Sequence, residues 1–285
     1  MTKLPIIDWG TTSADERDRV LTRGRDHDGV DEGLRGSIAA IVEDVRARGD
    51  AAVVDALRRF DDMTVPAERL RVSEAEFAAA RAAVSDGLVE AIGTAIAQVR
   101  AFNELIVRRA SWTAEPRPGL LVGEQAAPIP SVGLFVASGK GSFPSVLIHI
   151  ATPAVVAGVE RIVVVAPPLP GGGGEVDPAI LVAARELGLT EVYRSTGPAG
   201  IAALACGTET VPRVRKIVGP GSPAVTAAKL LAQLEGVEAP MLYGPSESLI
   251  LADDSADPRL LAADFLNEAE HGPDSAAVLV TPSRE

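Results

Sequence analysis

The sequence predicts an α/β protein with parallel sheets in two lobes, preceded by a helical N-terminal layer. Three observations predict it. Apolar residues recur at helical spacing from residue 34 to residue 109. From Val132 onward, short β-branched runs alternate with helical segments, and the runs are near-continuously apolar, as in strands covered on both faces. The 285 residues also exceed the roughly 100 to 200 of a single domain, which favours two lobes.

Residues 1 to 33 are rich in Asp, Arg and Gly, with scattered apolar positions, and read as an arm suited to wrapping a partner subunit. Ile38, Ile41, Val42 and Val45 then mark a helix that Gly49 stops. Asp50 is expected to cap the next helix, whose apolar positions are Val53, Val54, Leu57 and Phe60. Ser73 and Glu76 form the S-x-x-E of a capping box ahead of Phe77 and Val84. A longer helix places Leu88, Ile92, Ile96, Val99, Phe102 and Ile106 on one stripe. The character changes after Pro116 and Pro118. Strands are expected at Val132 to Val136, Ile162 to Ala166, Glu191 to Arg194, Lys216 to Val218 and Ser248 to Ala252. The helices between them fall at Ser145 to Gly158, Asp177 to Leu187, 198 to 205 and 222 to 233; Asp177 caps the second, with Pro178 at its first position. A helix from Asp257 to Glu270 and a strand from Ala277 to Val280 follow. The final Pro-Ser-Arg-Glu, ending at Glu285, reads as the N-cap of a further helix.

Hydrophobic residues at 47% and charged residues at 23% are the proportions of a chain that buries a core. Aromatics at only 4% and a net charge of −12, with no basic stripe beyond Arg108-Arg109, exclude nucleic acid as a partner. The one cysteine, Cys206, excludes an internal disulfide framework and fits a reducing compartment, although a small buried apolar role explains it as well. The N-terminus lacks the apolar core of a secretory signal, and no run reaches about 18 uninterrupted apolar residues. The expectation is a cytoplasmic protein without a membrane partner.

The strand ending Leu134-Phe135-Val136 runs into Ala-Ser-Gly-Lys-Gly-Ser-Phe-Pro, the place where open α/β sheets bind ligands. Gly139 and Gly141 permit close backbone approach, but Pro144 stands where a third glycine belongs and the Walker spacing fails. No acidic residue closes the following strand, which ends Ala166-Pro167-Pro168, so a standard ribose-binding dinucleotide fold is disfavoured and a plain turn explains the glycines equally. Gly171 to Gly174 reads as a flexible loop with no basic residue or hydroxyl nearby. Lys216-Ile-Val-Gly-Pro-Gly-Ser222 is a strand, a turn and a serine that either simply caps the next helix or shares its N-terminus with an anion or cofactor phosphate. Tyr243-Gly-Pro-Ser246-Glu247 sets a hydroxyl and a carboxylate on a constrained, or merely polar, turn. Glu268 and His271 stand three apart on the last turn of a helix, with Cβ atoms about 5 to 6 Å apart, and both can reach one metal ion. An oxygen and a nitrogen ligand suit zinc, but two ligands do not make a site, and a histidine at a helix C-terminus also answers the dipole. His149, among Val146, Leu147, Ile148 and Ile150, reads as a core histidine, and His27 lies in the arm.

In order along the chain, V-G-L-F-V, S-F-P-S-V-L, A-V-V-A-G-V, G-I-A-A-L-A-C-G-T-E-T-V-P, K-I-V-G-P-G, Y-G-P-S-E-S and E-A-E-H-G-P-D-S resemble the histidinol dehydrogenase family over residues 34 to 285. The resemblance implies two incomplete Rossmann-like lobes: residues 34–131 with 237–285, carrying the metal-type residues, and residues 132–236 on the cofactor side. It implies zinc and two successive NAD-linked hydride removals that carry an amino alcohol through a held aldehyde to an acid, histidinol to histidine in histidine biosynthesis. It further implies an intertwined homodimer.

By the same resemblance Ser246 contacts substrate, His271 is a zinc ligand, and Glu268 is a second, where the family usually has glutamine. All three would line the substrate site. Three cofactor positions depart from the family: Phe135 replaces a tyrosine, Ala199 a glutamine and Ser222 an asparagine. Each loses or shortens a hydrogen-bonding group, which argues for a paralogue with altered cofactor or substrate. The family's Glu-His general base and two further zinc ligands are expected beyond Glu285. No catalytic residue is therefore expected within this chain, which reads as an inactive fragment of the enzyme. The alternative is a non-catalytic paralogue that binds a small molecule or a partner, if 285 residues is the mature length.

Overall fold

The computed structural model describes residues 5–22, 32–137, 142–169, 171, 173–240, 247–269 and 275–283. Ahead of the sheet come helices α1 (Ala14–Thr22), α2 (Glu32–Arg48), α3 (Asp50–Asp61), α4 (Glu74–Ala83) and α5 (Asp86–Arg109). Ile38, Val42 and Val45 bury one face of α2, as their spacing predicts. The expected capping box opens α4: the Ser73 hydroxyl accepts from the Glu76 N–H, and the Glu76 carboxylate accepts from the Ser73 N–H.

Two readings of this layer are corrected. Asp50 does not cap α3, because Gly49 holds that position. Its buried carboxylate instead accepts from the Thr208 hydroxyl at 2.5 Å and from Thr210, while Glu209 accepts from the Asp50 N–H at 2.8 Å. This cross-links α3 to a loop 158 residues away along the chain. In α5, Ile92 and Ile96 are buried, whereas Phe102 is 63% exposed and Ile106 is exposed as well. Periodicity places a side chain on a face, but only neighbouring elements decide whether that face is covered.

An antiparallel hairpin follows, β1 (Trp112–Arg117) and β2 (Leu120–Glu124), with every residue exposed. The sequence reading had no strand here, because Pro116 and the register shift between Ala114 and Arg117 break the period-two pattern.

The central sheet is built from β3 (Ser131–Phe135), β4 (Arg161–Ala166), β5 (Val192–Arg194) and β6 (Lys216–Val218). All are parallel, in the order β5-β4-β3-β6. Helices α6 (Pro144–Val156), α7 (Pro178–Glu186), α8 (Gly197–Cys206) and α9 (Pro223–Leu234) connect and cover them. Asp177 caps α7 and Pro178 opens it, as expected. Alternate strand residues split between two cores. Phe135, Val163, Val165 and Ile217 meet α2, α3, α8 and α9, while Val132, Leu134, Val164 and Ala166 meet α4 to α7. A side chain at Gly133 would clash with Leu204, so glycine lets α8 lie close on the sheet. Burying each Val, Leu or Ile contributes about 1.5 to 3 kcal/mol, and most of the apolar burial among the described residues lies here.

A second parallel pair, β7 (Glu247–Leu251) and β8 (Ala276–Val280), brackets α10 (Pro258–Ala269). The α/β class, with parallel sheets and covering helices, is as predicted. The helix start expected at the final Pro-Ser-Arg-Glu lies partly outside the described residues, since Arg284 and Glu285 are not among them.

Candidate functional site

β3 leads into α6 on one face of the sheet, while its neighbour β6 leads into α9 on the other. Two adjacent parallel strands whose connections leave in opposite directions open a crevice at their carboxyl ends, the usual ligand position in open α/β sheets. The crevice therefore falls between the end of β3 at Phe135 and the turn Gly219-Pro220-Gly221 after β6. This topology, invisible in the strand list alone, singles out one of the glycine motifs.

The turn is built for close approach. Gly219 has φ +136°, and a Cβ there would overlap the Phe135 carbonyl oxygen; a Cβ at Gly221 would overlap the Val225 side chain. Ser222 is the exposed N-cap of α9, its hydroxyl accepting from the Val225 N–H at a long 3.5 Å, and Pro223 follows. α9 starts beside this turn; Pro223 has no N–H and the Val225 N–H is taken by Ser222, so what the helix N-terminus brings is its dipole, which favours negative charge. Beneath the turn, Lys229 is 1% exposed and its Nζ donates to the Gly219 carbonyl. Burial pushes its pKa down to about 8. A cradle that side chains would fill, at a helix N-terminus over a buried cation, fits the phosphates of a dinucleotide.

The structure brings Phe135 and Ser222 to this crevice. Phe135 is buried and offers its backbone, its ring packing into the core. Ala199, in the first turn of α8, is buried in the same core cluster. Neither side chain presents a polar atom. Glu268 is 8% exposed and is the buried residue of α10. Ser246 and His271 lie outside the described residues, as do Gly139, Gly141, Tyr243 and His27. Of the candidate substrate and metal residues, Glu268 is thus the one placed among the described residues. Among the described residues no group of three or more His, Cys, Asp or Glu side chains stands together.

Other readings change in three dimensions. His149 is no core histidine: it is exposed on α6, with Nδ1 2.8 Å from the Ser145 carbonyl. The Gly171 to Gly174 segment, expected to have no basic neighbour, meets one through the fold. The buried Arg194 donates to the Gly174 carbonyl at 2.6 Å, to the Arg69 and Arg71 carbonyls and to the Glu76 carboxylate. Those acceptors engage the guanidinium, so it is no anion receptor. Sequence reasoning missed both buried cations. Lys229 carried a signal, since it interrupts the apolar stripe Val225, Ala228 and Ala232 of α9. Arg194 carried none. No single helix among the described residues is long and apolar enough to cross a membrane.

A family model described as histidinol dehydrogenase matches residues 25–285. The chain is 42% identical over 284 residues to a histidinol dehydrogenase homolog of Colwellia psychrerythraea, covering 99% of this chain and 62% of that protein. It is 44% identical over 262 residues to the histidinol dehydrogenase of a Synechococcus species, covering 92% of this chain and 59% of the relative. The crystal structure of histidinol dehydrogenase from Elizabethkingia anophelis superposes with a TM-score of 0.82 at 34% identity, over 90% of this chain and 58% of that one. The chain thus spans about three fifths of the length of these relatives.

Proposed function

The chain belongs to the histidinol dehydrogenase family, and we propose that it supplies the NAD-binding part of a dehydrogenase that oxidises an amino alcohol, histidinol or a close relative. The observation that carries this reading is the glycine turn and α9 N-terminus at the β3/β6 crevice. NAD, when bound, accepts the hydride from the alcohol carbon. The residues 132–236 act as the cofactor side: the Gly219 and Gly221 backbone admits the pyrophosphate, and Ser222 with the α9 dipole favours its negative charge. On the substrate side, Ser246 and Glu268 hold the amino alcohol, the Glu268 carboxylate complementing its ammonium group. Glu268 and His271 are the zinc-type residues, a carboxylate oxygen and an imidazole nitrogen of the kind that zinc takes. We also propose a homodimer, supported by the exposed apolar side chains of the α5 end and hairpin, among them Phe102, Ile106, Trp112 and Leu121. Light scattering after size exclusion tests it, and a monomer at micromolar concentration overturns it.

The experiment for the cofactor reading is calorimetric titration of NAD into the purified chain. Saturable one-site binding supports it; no binding at millimolar NAD overturns it. One observation favours a second reading, a non-catalytic paralogue that binds a different small molecule: Phe135 and Ala199 present no polar side-chain atom to a cofactor. It expects no NAD binding together with saturable binding of another compound in a metabolite screen.

A further inference from the structure

We propose that Asp61, at the end of α3, receives the hydroxyls of the adenosine ribose and thereby selects NAD over NADP. The inference rests on the dinucleotide reading above and deepens it, since it names the residue that reads the ribose.

In open sheets that bind dinucleotides, an acidic residue at the end of the strand beside the crevice accepts the ribose hydroxyls. Here that strand is β4, and it runs into Ala166-Pro167-Pro168 without an acid. The fold brings one from another element. Phe135, Val165 and Tyr193 stand level across β3, β4 and β5, so the three strands end on one rim. Ser195 continues the β5 end of that rim, its N–H donating to the Ala166 carbonyl at 3.4 Å, and Thr196 follows as the N-cap of α8. Asp61, the last residue of α3, sets its carboxyl beside the Thr196 hydroxyl, which offers it one hydrogen bond. Two strand spacings, about 10 Å, separate β5 from β3. The carboxyl therefore stands on the side of β3 away from β6, within reach of the nucleoside that a pyrophosphate at the β3/β6 crevice carries.

Two oxygens at this place are short of partners. Asp61 Oδ2 is shielded from solvent without a hydrogen-bond partner among the described residues, and so is the Oγ of Ser195, a residue that is 0% exposed. That hydroxyl lies against the first turn of α8, 3.3 Å from where a Cβ at Gly200 would stand. Leaving such groups unpaired costs stability, so the local fold alone does not account for them. Nor do the neighbouring helices account for the acid. At the C-terminal end of α3 a negative charge opposes the dipole. A carboxylate placed only to complement the start of α8 would be held below its ordinary pKa, whereas burial pushes that of Asp61 up. The carboxyl lacks donors, and a ribose diol supplies two hydroxyl donors side by side. Asp61 is half-buried rather than enclosed, as a group that meets a ligand must be. A 2′-phosphate would remove one donor and set negative charge against the carboxylate.

The test measures NAD and NADP affinities by calorimetry, and the melting temperature without ligand, for the full chain and its Asp61→Asn and Asp61→Ser variants. The wild type is expected to bind NAD about tenfold or more tightly than NADP. In Asp61→Asn the NAD affinity falls about tenfold and the preference for NAD shrinks to about threefold or less, because NADP gains what NAD loses. Should Asp61→Asn not fold, Asp61→Ser decides by the same ratio. A merely structural role would weaken both dinucleotides alike, so an unchanged preference overturns the inference, as does a wild type that binds NADP as tightly as NAD. A wild-type chain that binds neither dinucleotide sinks the dinucleotide reading and this inference together, whereas NAD binding with the same preference in wild type and variants sinks this inference alone.

Discussion

Two parallel β-α-β regions of this chain share an apolar pattern and differ in what covers it. In the central sheet, Leu134 is 0% exposed and the neighbouring side chains of β3 and β4 are packed by helices on both faces. In the β7-α10-β8 unit, Leu251 is 77% exposed, and Leu249, Leu260 and Leu266 are exposed as well. Both sheets obey the same strand rules and pair in regular parallel register. Alternation and β-propensity therefore specify that a strand forms, while burial is a property of the neighbourhood. The candidate cofactor crevice sits in the covered region, whose packing holds its turn in place. Glu268, the candidate metal and substrate residue, sits in the open one.

The contrast can be broken experimentally, and the largest effect is expected where the covered region buries charge. Glu76→Ala leaves the buried Arg194 without its carboxylate and should destabilise by about 3 to 5 kcal/mol in urea unfolding. Burial alone would raise the Glu76 pKa, but hydrogen bonds from Ser73, the charge of Arg194 and a hydrogen bond from Arg69 outweigh it and hold it below the usual value. A carboxylate lowered in the folded state contributes stability that is fully present above its unfolded pKa and lost as pH falls through the folded value. Wild type should therefore lose stability on acidification more steeply than Glu76→Ala, and parallel acid titrations would count against the pairing.

Leu134→Ala should cost about 2 to 5 kcal/mol, because the cavity lies between two packed layers. Ser73→Ala, at the α4 cap, should cost about 1 kcal/mol by removing one half of the capping box. Leu251→Ala should change stability by no more than about 0.5 kcal/mol, since the side chain is already in water. If Leu251→Ala instead costs as much as Leu134→Ala, something covers β7 in solution and the contrast between the regions disappears. Calorimetric melting of the two leucine variants side by side decides it.

Local signals carried most of the fold. The capping box at Ser73, the Asp177-Pro178 helix start and the Ser222 cap are each made by residues within four positions of one another, so they were legible. The hairpin was not, because its pairing of Trp112 with Glu124 depends on a turn flanked by prolines that blurs the alternation. Asp50 misled for a related reason: it sits where a helix cap belongs, yet its partners Thr208 and Thr210 come from the loop after α8, close in space but about 160 residues along the chain. Of the candidate site, the Gly-Pro-Gly turn and Ser222 could be read directly. The burial of Phe135 and Ala199 could not, because burial depends on which helices close over them.

By itself the sequence determined the succession of strands and helices from β3 onward, the parallel α/β class and the family, since periodicity, caps and motif order are properties of neighbouring residues. Only the tertiary structure decided the strand order β5-β4-β3-β6, and with it the choice of the β3/β6 crevice over the other glycine loops. It likewise decided that Lys229 and Arg194 are buried. The physical reason is the same in each case. Strand pairing and desolvation are set by contacts between residues distant in the chain, and no local pattern encodes which partner a segment meets.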